Sequence, residues 1–469
     1  MTAAEKLAGF VGVLFFAAAG IGWLETLPGL RSLPLGRGLG LAYLLGVAWV
    51  AGSLYALSHF GGVPLHRNAL SAVAALPVVV GFVARVVLGS AARRPGPRLR
   101  RGRWLEAAAF AIAAAICLGA VAEAVTNPLH DWDGRMTWAT QARYVRAEAT
   151  VDARALAEPQ WYVTHPQYPL LLPVAQVVAM ELAGAGDDVH AFRLLYVAFL
   201  PVFLLVLYGF PRRRVKRRTA ALTVMAAALL PYPAFFPTGG AVSAYSDLPL
   251  ACFYGAGLLL LLRVRPGFSD GVAAGALLAA AVLSKNEGTP LALAALALAA
   301  LAGLRRPGRL RRLAPVGIAA LFVALAIVLL VSWRAGIPNR YDEAYGSLFS
   351  LAALWPAAVN RLPLLLPKIR YEMIALDHWN LFWSVAPLVL LAGWRGLGRR
   401  GAAYLAAGAL APLAVAWIAY TLSLDAAQTV RMSWNRFLLQ ASIPLLTLFS
   451  FALDDLLRRV RWLRRKVEP

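Results

Sequence analysis

The sequence predicts an all-α, polytopic membrane protein of about thirteen transmembrane helices, and three observations carry that prediction. Of the 469 residues, 60% are hydrophobic, and the mean hydropathy is +0.65, more apolar sequence than a soluble core of this size would use. The apolar residues gather in runs of roughly 20, the length that crosses a hydrocarbon layer about 30 Å thick. The basic residues behind the formal net charge of +23 sit in short blocks between those runs, at Arg93–Arg103, Arg212–Arg218, Arg305–Arg312 and Arg458–Lys466. Blocks so placed orient spans in a membrane. No aromatic-interleaved basic face accompanies them, which excludes nucleic acid as a partner.

Taken in order, the apolar runs place spans near 8–27, 39–58, 69–90 and 105–126, then near 191–210, 219–236, 248–263, 271–284, 288–304, 313–333, 379–394, 402–422 and 437–455. Setting the four basic blocks in the cytoplasm puts the segments 127–190, 334–378 and 423–436 outside by alternation. The segment 169–185 is apolar enough to span, yet its crossing would turn Arg212–Arg218 outward. With two prolines, Gln176 and Glu181, it reads instead as an interfacial or re-entrant helix in the first large external loop. Residues 1–103 form a three-span N-terminal extension with a basic linker, and 104–469 the core. Cys117 and Cys252 both fall inside apolar runs, so neither a disulfide framework nor a thiolate metal site is expected.

Polar chemistry concentrates in a few places. Between the fourth and fifth spans lies Asn127-Pro-Leu-His130-Asp131-Trp132-Asp133-Gly-Arg135-Met-Thr-Trp138, two carboxylates one residue apart in a lipid-soluble setting. Such acids are costly near a bilayer unless water, a partner charge or a substrate meets them. His165-Pro-Gln-Tyr168, Tyr245-Ser-Asp247 and Ser284-Lys285-Asn286-Glu287-Gly288 follow on the same side. Lys285 and Glu287 fall in a turn between two short helices, which sets it below the membrane surface. There they either serve a ligand or close a helical hairpin as a mutual ion pair.

A carboxylate can take the proton of an acceptor hydroxyl as it attacks an anomeric carbon, while cations stabilise a departing phosphate. One carboxylate and one or two cations therefore suffice for single-displacement transfer from a lipid phosphate. Plainer uses exist for each residue. Asp131 and Asp247 also suit helix N-caps, and the Pro-rich turn around His165 and Tyr168 suits a structural entry. Two close acids can hold Mg²⁺ or Mn²⁺, but an Asp-x-Asp pair alone supplies too few oxygens for a closed site.

The ordered set Trp132-Asp133-Gly-Arg-Met-Thr-Trp138, His165-Pro-Gln-Tyr-Pro-Leu-Leu-Leu-Pro173, Tyr245-Ser-Asp-Leu-Pro-Leu250 and Leu283-Ser-Lys-Asn-Glu-Gly288 resembles bacterial GT-C glycosyltransferases of the dolichyl-phosphate-mannose mannosyltransferase and aminoarabinose transferase type. The resemblance spans about residues 104–455. It implies a GT-C-like fold in a bacterial plasma membrane, a polyprenyl-phosphate-linked sugar donor, and an extracytoplasmic acceptor that is a glycan, a lipid or a protein. The family's loop acid falls on Asp133 as general base, with Asp131 as alternative base or acceptor-positioning group. Lys285 is the expected ligand of the donor phosphate, with Arg436 and Arg361 as further cations. Arg431-Met-Ser-Trp-Asn-Arg436-Phe-Leu-Leu resembles the element that opens the family's last helix, although Arg436 also suits a snorkelling role. His165, Tyr168, Tyr245, Asp247 and Glu287 are the expected substrate contacts.

The loop 334–378, with Arg340, Tyr341, Asp342, Glu343, Arg361, Lys368, Arg370, Tyr371 and Glu372, suits acceptor recognition or lipid head groups, with Trp355 and Trp379 as interface anchors. Two other function classes fit a polytopic chain, a lipid or glycan flippase and a non-catalytic assembly partner. A flippase would show paired halves and interrupted helices at the bilayer midplane, and a partner would not need acids beside tryptophans.

Overall fold

The computed structural model describes residues 3–31, 33, 35–87, 104–184, 192–211, 214–305, 308–337, 351–398, 401–423 and 425–467, and these are helical with no strand among them. The Arg93–Arg103 linker and Arg340 to Glu343 lie outside the described residues. Among the described residues, seven helices are long and apolar enough to cross a membrane, and six shorter apolar ones of 10–17 residues accompany them.

The N-terminal helices are α1 (Ala3–Thr26), the single turn α2 (Pro28–Arg31), α3 (Leu35–Gly61), α4 (Arg67–Val87) and α5 (Trp104–Thr126). A π-helical turn (Asp133–Ala139) follows, then α6 (Thr140–Ala147), α7 (Arg154–Ala157), a 3₁₀ turn (Pro159–Thr164) and α8 (Leu171–Ala183). Helix α8 is buried from Leu171 to Met180 and packs on α1, α3 and α6. At 13 residues it rises only about 20 Å, so it does not span alone. Its acid Glu181 pairs with Arg146 of α6 at 2.7 Å.

Two expected spans are broken by proline. The run 191–210 divides at Ala198 into α9 (Arg193–Val197) and α10 (Phe199–Gly209), with Pro201 in the first turn of the second piece. The run 219–236 divides into α11 (Arg217–Ala228) and α12 (Pro231–Phe235), where Pro231 opens the new helix because its missing N–H needs no partner at that position. Helices α13 (Asp247–Leu261), α14 (Phe268–Ser284), α15 (Gly288–Leu304) and α16 (Arg309–Arg334) follow closely where the hydropathy put them. Every residue of α13 is buried, so this helix is the axis on which α10, α14, α15 and α22 pack.

The C-terminal part departs more from expectation. Much of the supposed loop 334–378 is helix α17 (Leu351–Ile374), and the run 379–394 is split into α18 (Leu376–Trp379) and α19 (Phe382–Ala392). After α20 (Trp394–Leu397) and α21 (Ala402–Leu422) comes α22 (Ala426–Val467), 42 residues long. It starts eleven residues before the expected span, so the supposed loop 423–436 is mostly helix and Arg436 lies on it. At about 63 Å, α22 reaches beyond a hydrocarbon layer of about 30 Å. Of its apolar window 89% is buried, against 22% for α4 and for α5, which makes α22 central and leaves those two with faces such as Val79, Phe82 and Val86 turned outward.

The N-terminal spans are fastened to the loop region by polar contacts. His59, in the last turn of α3, meets Asp152 Oδ1 through Nδ1 and Ser332 Oγ of α16 through Nε2, both at 2.9 Å. Trp333 Nε1 donates to the Val151 carbonyl at 3.0 Å. Two glycines let elements approach the site region. A Cβ on Gly288 would stand 1.8 Å from the Ala281 carbonyl oxygen, and one on Gly134 would stand 2.1 Å from that of Ser243.

Gly288→Ala should therefore destabilise the protein by about 2 kcal/mol or more, since backbone must move. Gly317→Ala, at a helix position with open space, should be neutral or gain up to about 1 kcal/mol from helix propensity. Denaturation of the two variants in one detergent distinguishes them, and equal effects would contradict the close approach of α15 to α14.

Candidate active site

Short helices bring their polar ends together at one end of the bundle. Asp247 is the first residue of α13, Lys285 ends α14, Glu287 precedes α15, and Arg436 lies in the early turns of α22. Gly134 lets the π-helical turn press against the Ala241–Ser243 turn, which sets Asp133 beside the residues leading into α13. The Asp133 backbone N–H donates to the Tyr245 hydroxyl at 3.2 Å.

The result is a chain of alternating charges. Asp133 Oδ2 lies 3.0 Å from Arg436 Nη1, and Arg436 Nε lies 2.9 Å from Asp247 Oδ2. Asp247 Oδ1 accepts from Lys285 Nζ at 2.7 Å and from Gln440 Nε2 at 3.0 Å. Lys285 also pairs with Glu287 Oε1 at 2.9 Å. The side chains of Asp247 and Lys285 are 0% and 3% exposed, whereas Asp133, Glu287 and Arg436 keep 19%, 19% and 14%. The interior of the chain is sealed, and both its ends, Asp133 with Arg436 and Glu287, are partly open. The Arg436 guanidinium also lies over the Tyr245 ring, 5.0 Å from its centroid.

Three carboxylates and two cations leave one excess negative charge in this cluster. Asp247 is occupied by side-chain donors rather than by a cap, so the plain N-cap explanation for it fails. The pairing of Lys285 with Glu287 does hold, as one part of a larger array. Gln440 was missed by sequence reasoning. It sits one turn after Arg436, the spacing that puts two residues on one helix face, but that signal is legible only once 426–436 is known to be helix.

His165 and Tyr168 border the same cluster. Their rings stack 5.1 Å apart, and Trp138 stacks on the other side of Tyr168 at 5.5 Å. His165 adopts φ +51°, a left-handed conformation that non-glycine residues take infrequently. Gln141 holds it by donating from Nε2 to the His165 carbonyl at 2.8 Å. Burial depresses the imidazole pKa; Asp133 opposes this and Arg436 adds to it. Burial, then the Glu287 carboxylate, raise the Tyr168 phenol, which stays protonated. Arg334 of α16 locks this wall to the 285–287 turn by donating to the Gln167 carbonyl at 3.0 Å and to Asn286 Oδ1.

Eight of the ten expected site residues thus gather, and two do not. Asp131 does not share the Arg436 pairing of Asp133; the charges that bear on it most are those of Arg193 and Glu123. Burial raises its pKa to about 6; Arg193 works against that shift and Glu123 with it. Arg193 is itself buried and donates to the Val242 carbonyl at 2.8 Å and to the Asn127 carbonyl. Arg361, on α17, donates to the Ser423 carbonyl at 3.3 Å and fastens α17 beside the start of α22. For a divalent cation the donor set does not fit. Asp133 is engaged by arginine, Asp131 faces elsewhere, and among the described residues no three His, Cys, Asp or Glu side chains converge, where Mg²⁺ or Mn²⁺ would need about six ligands.

A second polar cluster adjoins the first. Glu372 of α17 contacts Lys368 Nζ at 2.7 Å and His378 Nδ1 at 2.7 Å, and it accepts from Asn435 Nδ2 at 3.0 Å. Trp379, expected as an interface anchor, is instead fully buried. It stacks on Tyr232 at 5.0 Å and donates from Nε1 to Asn435 Oδ1 at 3.0 Å. Trp355, the other expected anchor, is 73% exposed.

Residues 167–333 match the family model described as dolichyl-phosphate-mannose-protein mannosyltransferase, of the GT-C superfamily. No curated protein matches the chain. The matched segment runs from α8 to α16 and contains Tyr168, Tyr245, Asp247, Lys285 and Glu287. Asp133 and Arg436 lie outside it; Arg436 is joined to it by its ion pair with Asp247, and Asp133 through Arg436. Among the described residues, seven helices long and apolar enough to cross a membrane mark the chain as an integral membrane protein.

The raised pKa of Asp131 has a testable sign. Its folded-state value lies above the ordinary carboxylate value, so its contribution to stability is fully present below about 3.8 and is lost as pH rises through about 6. Asp131→Asn should flatten that part of the melting-temperature profile and be at least as stable as the wild type at neutral pH. A variant profile parallel to the wild type's across that window would show that Asp131 is not held in the protonated form.

Proposed function

We propose that this chain transfers a sugar from a polyprenyl-phosphate-linked donor to an acceptor hydroxyl on the extracytoplasmic face of the membrane, with Asp133 as general base and Arg436 as the principal ligand of the donor phosphate. The observation that carries the proposal is the Asp133–Arg436–Asp247 bridge. It sets a partly open carboxylate beside a partly open guanidinium, at the end of the bundle that the basic blocks assign to the outside.

The chemistry is a single displacement. The acceptor oxygen attacks the anomeric carbon and gives its proton to Asp133, the bond from that carbon to the phosphate oxygen breaks, and its electron pair leaves with the lipid phosphate. Inversion at the anomeric carbon follows. Phosphate is a good leaving group, so no general acid is needed, and cations meet the charge that develops. Arginine suits this task because its fork matches phosphate oxygens. Lys285, held by Asp247 and Glu287, supports Arg436 from behind and adds positive potential. In the resting protein Asp133 occupies one edge of Arg436, so donor phosphate and Asp133 compete for the same donors. Arrival of the donor releases Asp133 to accept a proton. His165, Tyr168 and Tyr245 form the wall against which the sugar and acceptor are oriented, with neutral hydrogen-bonding groups beside the charged pair.

Asp133→Asn tests the assignment. The amide keeps the shape but cannot take a proton at neutral pH, so kcat should fall by about 10²–10⁴-fold. Donor affinity should hold or tighten, because Arg436 loses a competing carboxylate. Full activity of Asp133→Asn would remove the base from the proposal, and weakened donor binding would make Asp133 a donor contact instead.

Lys285→Ala and Arg436→Ala should each weaken binding of a polyprenyl phosphate, Arg436→Ala more, since Lys285 acts through Asp247 and a buried position. Unchanged donor affinity in Arg436→Ala would overturn the phosphate assignment. The sidedness is tested by a cysteine at Gln160, which should react with an impermeant thiol reagent added outside intact cells.

A further inference from the structure

The polar cluster around Glu372 has no part in the transfer chemistry above, yet it stands directly beside it. Its carboxylate is saturated. Oε1 takes Lys368 Nζ at 2.7 Å and Asn435 Nδ2 at 3.0 Å, and Oε2 takes His378 Nδ1 at 2.7 Å. An ionised carboxylate offers no proton, so Nδ1 carries the hydrogen of that last bond. Asn435 Nδ2 also lies 2.9 Å from Nδ1, but its acceptor is Glu372, and the bond from Trp379 Nε1 to Asn435 Oδ1 fixes the amide that way round. The other ring nitrogen of the neutral imidazole, Nε2, is therefore an acceptor.

What faces Nε2 is a second acceptor, Asp377 Oδ2, 3.5 Å away. A protonated imidazole would draw that carboxylate to about 2.8 Å, as charge-assisted bonds do, so the separation is a gap between two acceptors. The Tyr371 hydroxyl reaches the same oxygen only at 3.5 Å, beyond a good O–H···O distance. The Asp377 side chain is 60% exposed and Tyr371 46%, which opens the pair to a ligand from outside. Lys368 neutralises Glu372, and water screens the exposed Asp377. The shortage is thus of hydrogen-bond donors rather than of a counter-charge. Phe236 and Tyr371 meet the imidazole at 81° and 69°, with centroids 4.3 and 5.8 Å from it, and give the two acceptors an aromatic border.

We propose that His378 Nε2 and Asp377 bind hydroxyl groups of a neutral sugar, with Phe236 and Tyr371 beside its C–H surfaces, and that the acceptor of the transfer is accordingly a glycan; the second half rests on the transfer reading above. Neighbouring hydroxyls of a sugar ring are donors in pairs, which is what two adjoining acceptors require. Aromatic faces carry partial negative charge and suit C–H groups. An ammonium group would meet the acceptors but gain little from a screened carboxylate, and a phosphate would be repelled by it. The place also suits an acceptor. Asn435 and Arg436 are consecutive on α22, and their side chains diverge by about 100°. A helix with its side chains is about 10–12 Å across, so the subsite and the Asp133–Arg436 pair stand on the order of 10 Å apart. The sugar held at His378 is then a different unit of the glycan from the one whose hydroxyl meets Asp133.

The test reads binding rather than turnover, which separates it from the test of Asp133. Saturation-transfer NMR is recorded on the full chain in a deuterated neutral detergent with maltose, cellobiose, lactose and mannobiose, and with glucose against glucosamine. At least one of the neutral disaccharides should bind the wild type. Asp377→Ala, at an exposed position, should melt like the wild type and weaken that binding about fivefold or more, the loss of one hydrogen bond. Asp377→Asn keeps an acceptor oxygen and should restore most of it. Asp133→Asn should retain the disaccharide, so failure of the base assignment would leave this subsite standing. No disaccharide bound by the wild type, equal binding by Asp377→Ala, or a preference for glucosamine over glucose that Asp377→Asn abolishes would overturn the proposal.

Discussion

The placement of Arg436 between Asp133 and Asp247 is the interaction on which the candidate site depends. Asp247 is wholly buried at the start of the most buried helix, where an ionised carboxylate costs several kcal/mol unless donors replace its water. Three side chains do so: Lys285 from the α14–α15 turn, Gln440 and Arg436 from α22. Because these donors come from two distant places in the chain, satisfying one acid ties α13 to the α14–α15 turn and to α22. Loss of a single partner would leave charge uncompensated, which typically costs about 3–5 kcal/mol. Arg436 extends the arrangement outward, since its remaining edge reaches Asp133 at the start of the π-helical turn.

Helix length and glycine make that arrangement possible. Helices α13, α14 and α15 have 15, 17 and 17 residues, too short for a hydrocarbon layer of about 30 Å without local thinning. Their polar ends therefore lie below the surface of the bundle, where ion pairs are strengthened by exclusion of water. Gly288 allows α15 to start against the backbone of α14, and Gly134 allows the acidic loop to touch the turn before α13. In both places a side chain would push charge apart by more than an ion pair tolerates.

The beginning of α22 serves two clusters at once. Asn435 faces Glu372 and Trp379, and the next residue, Arg436, faces Asp133 and Asp247. Successive helical residues diverge by about 100°, so two sites can flank a single helical turn. Tyr232 lies between them, stacked on Trp379 and influenced electrostatically by both Asp247 and Glu372. A movement of α22 would thus be felt in both clusters. That coupling gives the helical segments α17 and α18 a direct path to the charged chain.

The sequence alone determined the membrane class and the all-helical build, and it singled out most members of the charged cluster around Asp247. Hydropathy is a local property, and charged residues inside apolar sequence are conspicuous one at a time, as Asp133, Asp247, Lys285 and Glu287 are. Where helices break or begin was less legible. Pro201 and Pro231 divide apolar runs that a window of about 20 residues joins, and α22 starts early because polar residues such as Arg431 and Asn435 lower the hydropathy without weakening a helix. Only the tertiary structure decided who pairs with whom. Asp131 and Asp133 are neighbours in sequence, yet Asp133, which opens the π-helical turn, pairs with Arg436, whereas Asp131 precedes that turn and is influenced chiefly by burial and Arg193. Gln440, His378 and the buried Trp379 became visible only when distant segments met, because an ion pair or a ring stack depends on distance in space, which one-dimensional spacing does not encode.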